Sequence, residues 1–181
     1  MNLEVLREIE KEAEQKDLPI IGKAKGKVLA ELVSRYKPSV ILEIGTLVGY
    51  SAIIMASKLK KGKLITIEID PNRAEIAKSN ISKAGLANKI EVIAGDAKEI
   101  IPKLNAEIDM LFIDAKKEEY LTYLKLAEAK LKKGAIVVAD NVKMFENSMK
   151  DYLEYVRNSG KYKSSSIDFG YDAMEISFKL E

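Results

Sequence analysis

Histidine, cysteine and tryptophan are absent from this 181-residue chain, and proline occupies only four positions. Each absence removes a class of chemistry. Without histidine there is no Ser-His-Asp triad and no imidazole base, and without cysteine no thiolate zinc site. Proton transfer must then fall to lysine, tyrosine or a carboxylate. A metal must sit among oxygen donors, which favours a hard cation such as Mg²⁺. Disulfides are excluded, and a cysteine-free chain suits a reducing compartment or a hot one. Lysine and glutamate are abundant while arginine is scarce, a composition that leans towards a thermophile. No apolar run approaches the roughly 20 residues of a membrane span. The acidic start, Met1-Asn2-Leu3-Glu4, does not read as a signal peptide. The expectation is a cytoplasmic protein with no membrane partner. A net charge of +2 argues against wholesale nucleic-acid binding.

What is present is enough apolar side chain, 47% of residues, to bury a sizeable core. The length predicts one domain over residues 1–181, with N-terminal helices in 1–37 and an α/β core in 38–181. Leu3, Leu6, Ile9 and Ala13 form a stripe on a charged helix over residues 2–16. That stripe can pack on its own chain or on a second copy in a homodimer. A second helix is expected from Lys23 to Tyr36, stopped by Pro38. Strand-like runs follow at Val40–Ile44, Lys63–Ile69, Lys89–Ala94, Ile108–Ile113 and Ala135–Ala139. Helical stretches alternate with them near Ser51–Leu59, Asn72–Ala84, Ala97–Leu104 and Glu118–Leu131. Such alternation with continuous apolar strands predicts a parallel sheet covered on both faces. A helix over Glu146–Arg157 then precedes extended segments Tyr162–Phe169 and Met174–Leu180, which Gly170 can turn into an antiparallel hairpin.

The segment Val40-Ile41-Leu42-Glu43-Ile44-Gly45-Thr46-Leu47-Val48-Gly49-Tyr50-Ser51 reads as strand, tight turn and helix N-terminus. That arrangement lets backbone N–H groups approach a ligand. The glycines are spaced G-x-x-x-G, so the G-x-G-x-x-G of a nicotinamide dehydrogenase is missing. Glu43, two residues before the first glycine, suits a ligand with an ammonium group, such as the methionine end of S-adenosylmethionine (SAM).

Ligands of open α/β sheets bind beyond the carboxyl ends of the strands. There the sequence places Glu43, Glu68 with Asp70, Asp96, Asp114, and Asp140 with Asn141. Acids serving only solubility would scatter over both edges. Glu68, 19 residues beyond Gly49, stands where a carboxylate accepts from ribose hydroxyls, since Asp70 before Pro71 already supplies a helix cap. Asp96-Ala97 is equally a helix cap and a neighbour of a bound base. Asp114, Asp140 and Asn141 can form one face of an octahedral oxygen site. Taken singly, they read as a strand-end cap and a turn.

The runs Ile113-Asp114-Ala115-Lys116-Lys117-Glu118-Glu119-Tyr120 and Ala139-Asp140-Asn141-Val142, with the glycine turn, resemble those of cation-dependent O-methyltransferases of the catechol and caffeoyl-CoA type. Gly22-Lys23-Ala24-Lys25-Gly26 is similar to the segment preceding that family's core, so the resemblance spans residues 18–142. It implies a Rossmann-like SAM-dependent methyltransferase fold: a seven-stranded, mostly parallel sheet with a C-terminal antiparallel hairpin. It implies SAM held by the Ile21 backbone, Glu43, Gly45, Thr46, Gly49, Tyr50, Ser51, Glu68, Asp96, Ala97 and Asp114. It implies a divalent cation, Mg²⁺ by chemistry, on Asp114, Asp140 and Asn141, and Lys117 as the base. Tyr120 matches an aromatic of the same motif. The reaction implied is methylation of a hydroxyl on a catechol-like small molecule. The cation acidifies one hydroxyl, Lys117 accepts its proton, and the oxyanion attacks the SAM methyl in line. Without the resemblance, Lys117 reads equally as a solvated helix lysine.

Two departures stand out. The chain enters a helix soon after Asn141, which leaves a short loop and an open acceptor site. The tail shows no aromatic-rich acceptor pocket, although Asp168, Phe169, Tyr171 and Asp172 fall near the expected site. Two other readings keep the same core. One is a tRNA-modifying O-methyltransferase, for which Lys58, Lys60, Lys61 and Lys63 offer a basic cluster, at the edge opposite the acids. The other is a non-catalytic SAM-binding module.

Overall fold

The computed structural model describes residues 3–181. Met1 and Asn2, and the Leu3 side chain of the expected stripe, lie outside what is described. In chain order the elements are α1 (Leu3–Lys16), α2 (Gly22–Tyr36), β1 (Val40–Ile44), α3 (Tyr50–Lys58), β2 (Lys63–Glu68), α4 (Pro71–Lys83) and β3 (Ile90–Ala94). They continue with α5 (Ala97–Ile100), β4 (Ile108–Ile113), α6 (Tyr120–Glu128), β5 (Leu131–Ala139), α7 (Lys150–Asn158), β6 (Tyr162–Asp168) and β7 (Ala173–Lys179). The seven strands form one sheet in the order β3-β2-β1-β4-β5-β7-β6. β1 with β4, β2 with β3 and β4 with β5 pair in parallel, while β7 runs antiparallel to both β5 and β6. This is the expected mostly parallel sheet with a C-terminal hairpin.

The chain divides into two compact units, Met1–Ser39 with Thr46–Gly95, and Val40–Gly45 with Asp96–Glu181. In the first, α1 buries Val5, Ile9 and Ala13, while Leu6 is half-buried. The buried row therefore runs i, i+4, i+8 from Val5; Ile9 and Ala13 of the expected stripe belong to it, and Leu6 lies at its margin. Its burial is within this chain. α2 lies close against α3: a Cβ on Gly26 would come 2.8 Å from the Ile54 Cδ1 atom. The helix ends at Tyr36, where left-handed Lys37 donates its N–H to the Val33 carbonyl one residue before Pro38. α4 starts as its sequence predicts. Asp70 accepts from the Asn72 and Arg73 N–H groups, and Pro71 fills the first helical position.

In the second unit, Met110 to Ile113 of β4 and Val137 to Ala139 of β5 are fully buried, as unbroken apolar runs in a two-sided sheet require. Several boundaries differ from expectation, two of them most clearly. The helix expected over 97–104 is a single α turn followed by a 3-10 turn, Ile101–Lys103. Pro102, lacking an N–H, cannot extend the α-helical ladder. β5 reaches back to Leu131, which pairs with Ile108; the register then shifts before Met110 pairs with Ile136, in the stretch that contains Gly134 (φ +78°). The edge strand β6 is short of apolar residues and largely exposed, which discourages pairing with other chains. Gly170 (φ +87°) sits in the hairpin loop between β6 and β7, as expected.

Candidate functional site

In the first unit the glycine turn is held from three sides. The Gly49 N–H donates to the Thr46 carbonyl at 2.8 Å, closing the turn over Leu47, whose φ is +49°. A left-handed leucine costs about 1–2 kcal/mol. Its N–H donates to Glu68 Oε2 at 2.7 Å, and a bond to a carboxylate contributes a comparable amount. The other oxygen, Oε1, accepts from the Asp70 N–H at 3.1 Å. Asn80 Nδ2 donates to the Val48 carbonyl at 3.0 Å, and the Thr46 and Thr66 hydroxyls bond to each other in the interior. The buried Glu68 is thus a brace for the turn at the carboxyl end of β2. Gly49 (φ +86°) precedes α3 without a side-chain cap.

Two residues of the expected cofactor set turn inward. The Thr46 hydroxyl faces Thr66, which leaves only its backbone for a ligand. The Tyr50 hydroxyl donates to Glu10 Oε1 at 2.6 Å, pinning α1, and its pKa is raised by burial and by that carboxylate. Ser51 is buried in the first turn of α3, and Ile21 is nearly buried immediately before α2.

In the second unit the first glycine explains itself. Gly45 has φ +97°, and a Cβ there would lie 2.0 Å from the carbonyl oxygen of Asp114. The Asp114 N–H donates to the Ile44 carbonyl at 2.9 Å, and the Asp140 N–H to the Ile113 carbonyl at 3.1 Å. Backbone contacts therefore set the ends of β1, β4 and β5 side by side. Glu43 and Asp140 are buried; Asp114 keeps a side-chain exposure of 19%.

Lys117 lies in a 3-10 turn, not on the exposed face of a helix, and is only 17% exposed. Its Nζ donates to Asp114 Oδ1 at 2.8 Å and to the Tyr120 hydroxyl oxygen at 2.9 Å. It also lies 5.2 Å from the centre of the Tyr120 ring and 5.8 Å from that of Phe145. Burial, then the charges of Asp114 and Asp140, push the Tyr120 hydroxyl well above its usual range. It stays protonated, wedged edge-on against Tyr152 at 5.9 Å. The sequence marked Tyr120 without a role; here it is the floor beneath Lys117.

Asn141 follows with φ +65°, its Nδ2 donating to Asp172 Oδ2 at 2.7 Å. Asp172 Oδ1 accepts the Met144 N–H at 3.0 Å, and Lys143 bonds Asp168 and the Gly170 carbonyl. Met144 and Phe145 are exposed beside this cluster, as is Tyr171. The apolar surface sought in the tail thus lies partly in the short segment after Asn141.

Asp96 caps α5, accepting from the Lys98 N–H at 2.8 Å, with its carboxylate one-third exposed. Lys98 also reaches Glu119, which accepts from the Tyr123 hydroxyl at 2.6 Å and from Lys116 at 3.2 Å. The Tyr123 hydroxyl, then Lys98, hold the Glu119 carboxyl down to about 2. A depressed carboxyl contributes stability above its unfolded pKa, which is lost as pH falls towards the folded one. Glu119→Gln should therefore cost about 1 kcal/mol at neutral pH. It should also flatten the fall in unfolding temperature between pH 4.5 and 2. An unchanged acid profile would rule that contribution out.

Among the described residues no three acidic side chains gather at one point. The candidate donor set is instead two carboxylates and an amide, all hard oxygen donors. The site already pairs Asp114 with a cation, the Lys117 ammonium, and the charges of Asp114 and Asp140 both act on Tyr120. The set fits a hard divalent cation.

A parallel sheet with acids at its strand ends, a glycine turn and a C-terminal hairpin defines the class; the comparisons define the family. The family model described as O-methyltransferase matches residues 1–157, and the chain belongs to that family. It is 40% identical over 152 residues to catechol O-methyltransferase B of Danio rerio, covering 80% of this chain and 57% of that protein. To the catechol O-methyltransferase of Mus musculus it is 34% identical over 169 residues, 89% of this chain and 63% of that one. The chain therefore spans about six-tenths of the length of these curated relatives. Among solved structures, the O-methyltransferase TomG from Streptomyces achromogenes, in complex with SAM, superposes with a TM-score of 0.90. It has 30% identity, with 98% of this chain and 90% of that one covered.

Proposed function

We propose that this protein, with residues 1–181 acting as one catalytic domain, transfers the methyl group of SAM to a hydroxyl of a catechol-like vicinal diol with the help of a divalent cation. The observation that carries the reading is Lys117, held between Asp114 and Tyr120 at the end of β4. Asp140 and Asn141 follow at the neighbouring strand end. Support also comes from the SAM bound to TomG and from the names of the curated relatives.

The N-terminal turn of α3, with Gly49, Tyr50 and Ser51, suits the carboxylate of a methionine moiety. Glu43 suits its ammonium group, and the family resemblance assigns Gly45, the Thr46 backbone and the Ile21 backbone to the same moiety. Glu68 spends one acceptor position of Oε2 on the turn and one of Oε1 on the Asp70 N–H, and a carboxylate offers about four, so room remains for the ribose hydroxyls. Asp96 and Ala97 stand for the adenine end, with the cap bond fixing the Asp96 side chain.

Asp114, Asp140 and the Asn141 amide oxygen would hold the cation. When bound, it supplies a Lewis acid that makes a coordinated hydroxyl easier to deprotonate. Lys117 would accept that proton at Nζ as the neutral amine, having first released its own ammonium proton to solvent once the Asp114 charge is engaged elsewhere. Tyr120 stays protonated and keeps Nζ in place. Phe145, exposed beside Lys117, and its exposed chain neighbour Met144 offer an apolar face to a flat ring. The short segment before the turn Glu146–Met149 leaves that side open to bulky acceptors.

The test is a set of acceptors offered with methyl-labelled SAM: catechol, phenol and 2-methoxyphenol. Catechol alone should be labelled, because only it presents two adjacent hydroxyls. Comparable labelling of phenol would overturn the vicinal-diol reading.

A further inference from the structure

We propose that Asp172, in the loop between β6 and β7, is a positioning residue that fixes which end of the Asn141 amide faces the cation site; this rests on the metal reading above. An asparagine amide has two ends of nearly the same shape and opposite chemistry. Only the oxygen can bind a cation, so something must select its orientation. Asn141 is in the left-handed region, which aims its side chain but does not choose between its ends.

The choice is made from the hairpin. Asp172 is fully buried, and its Oδ2 lies 2.7 Å from Asn141 Nδ2. An ionised carboxylate can only accept, so it must face the NH₂ end, and Oδ1 is left on the opposite branch. The second carboxylate oxygen accepts the Met144 N–H at 3.0 Å, and the Val142 N–H donates to the Ala173 carbonyl at 3.0 Å. The segment after Asn141 is therefore clamped to the hairpin at both positions. Partners of this kind, one bond removed from a metal, typically change its affinity by about 10–100-fold.

The test measures Mn²⁺ binding by electron paramagnetic resonance, with SAM present and no acceptor, so that no turnover is needed. Asp172→Asn introduces a donor opposite Asn141 and removes the charge. Its Mn²⁺ dissociation constant should rise about 10–100-fold, with SAM affinity within about twofold of wild type. In an Asn141→Ala background the same substitution should add almost nothing, because its effect passes through that amide. Asp172→Ser carries the same test if the Asn variant does not fold. Unchanged Mn²⁺ affinity, or an equal loss in the Asn141→Ala background, would overturn the positioning role alone. Failure of the wild type to bind Mn²⁺ would overturn the metal reading, and the inference with it.

Discussion

Asp114→Ala is expected to reduce methyl transfer to catechol by at least about 1,000-fold while leaving a folded protein. Two losses combine. The substitution removes one of two carboxylates from the proposed cation site, and it frees Lys117, whose ammonium now bonds Asp114 Oδ1 at 2.8 Å. Loss of one fixed electrostatic group in an active site costs about 100–1,000-fold, and a misplaced base a similar factor. The two overlap, because both act on the same hydroxyl, so their product is an upper bound. The cost to stability is smaller. The pair is partly exposed, and Lys117 keeps its contact with Tyr120, so a loss of about 1 kcal/mol is expected. Initial rates with labelled SAM, together with a melting curve, separate the two effects. A variant within tenfold of wild type would remove Asp114 from the chemistry.

Gly45→Ala carries the largest structural penalty. The new Cβ would lie 2.0 Å from the Asp114 carbonyl oxygen, and the contact is with backbone, which no rotamer change can relieve. The φ of +97° adds strain for any residue with a Cβ. Overpacking and left-handed strain together should cost about 3–5 kcal/mol. For a chain of this size that lowers the unfolding temperature by about 10 °C. Gly49→Ala is the internal comparison. Its φ is also positive, but its Cβ would meet Ala77 at an ordinary 3.5 Å, so only strain of about 1–2 kcal/mol is expected. Equal destabilisation by the two substitutions would show that the approach of Asp114 is not what Gly45 serves.

The strand ends were legible because chemistry there follows a simple rule. Each apolar run of β1, β2, β4 and β5 carries its acid at or just beyond the carboxyl end, and parallel pairing sets the ends of β1, β4 and β5 side by side. Periodicity located nearly every helix to within a few residues. It misjudged α1, where Val5 belongs to the buried row in place of Leu6, since both lie on adjoining sides of one apolar face. Direction was harder than neighbourhood. Thr46 and Tyr50 belong to the turn and helix that the spacing defines, yet their hydroxyls serve Thr66 and Glu10, partners far away in sequence. Gly45 was readable as a turn glycine, but the carbonyl it makes room for stands 69 residues later. Asp172 and Asn80 act through hydrogen bonds spanning 31 and 32 residues, and nothing in local pattern reports such pairs.

The most direct test of the account is transfer of labelled methyl from SAM to catechol, first in EDTA and then after adding Mg²⁺ in excess. Turnover absent in EDTA and restored by Mg²⁺ is the predicted result. Turnover undiminished in EDTA would contradict it, and would leave Asp114, Asp140 and Asn141 without the cation for which their oxygens are suited.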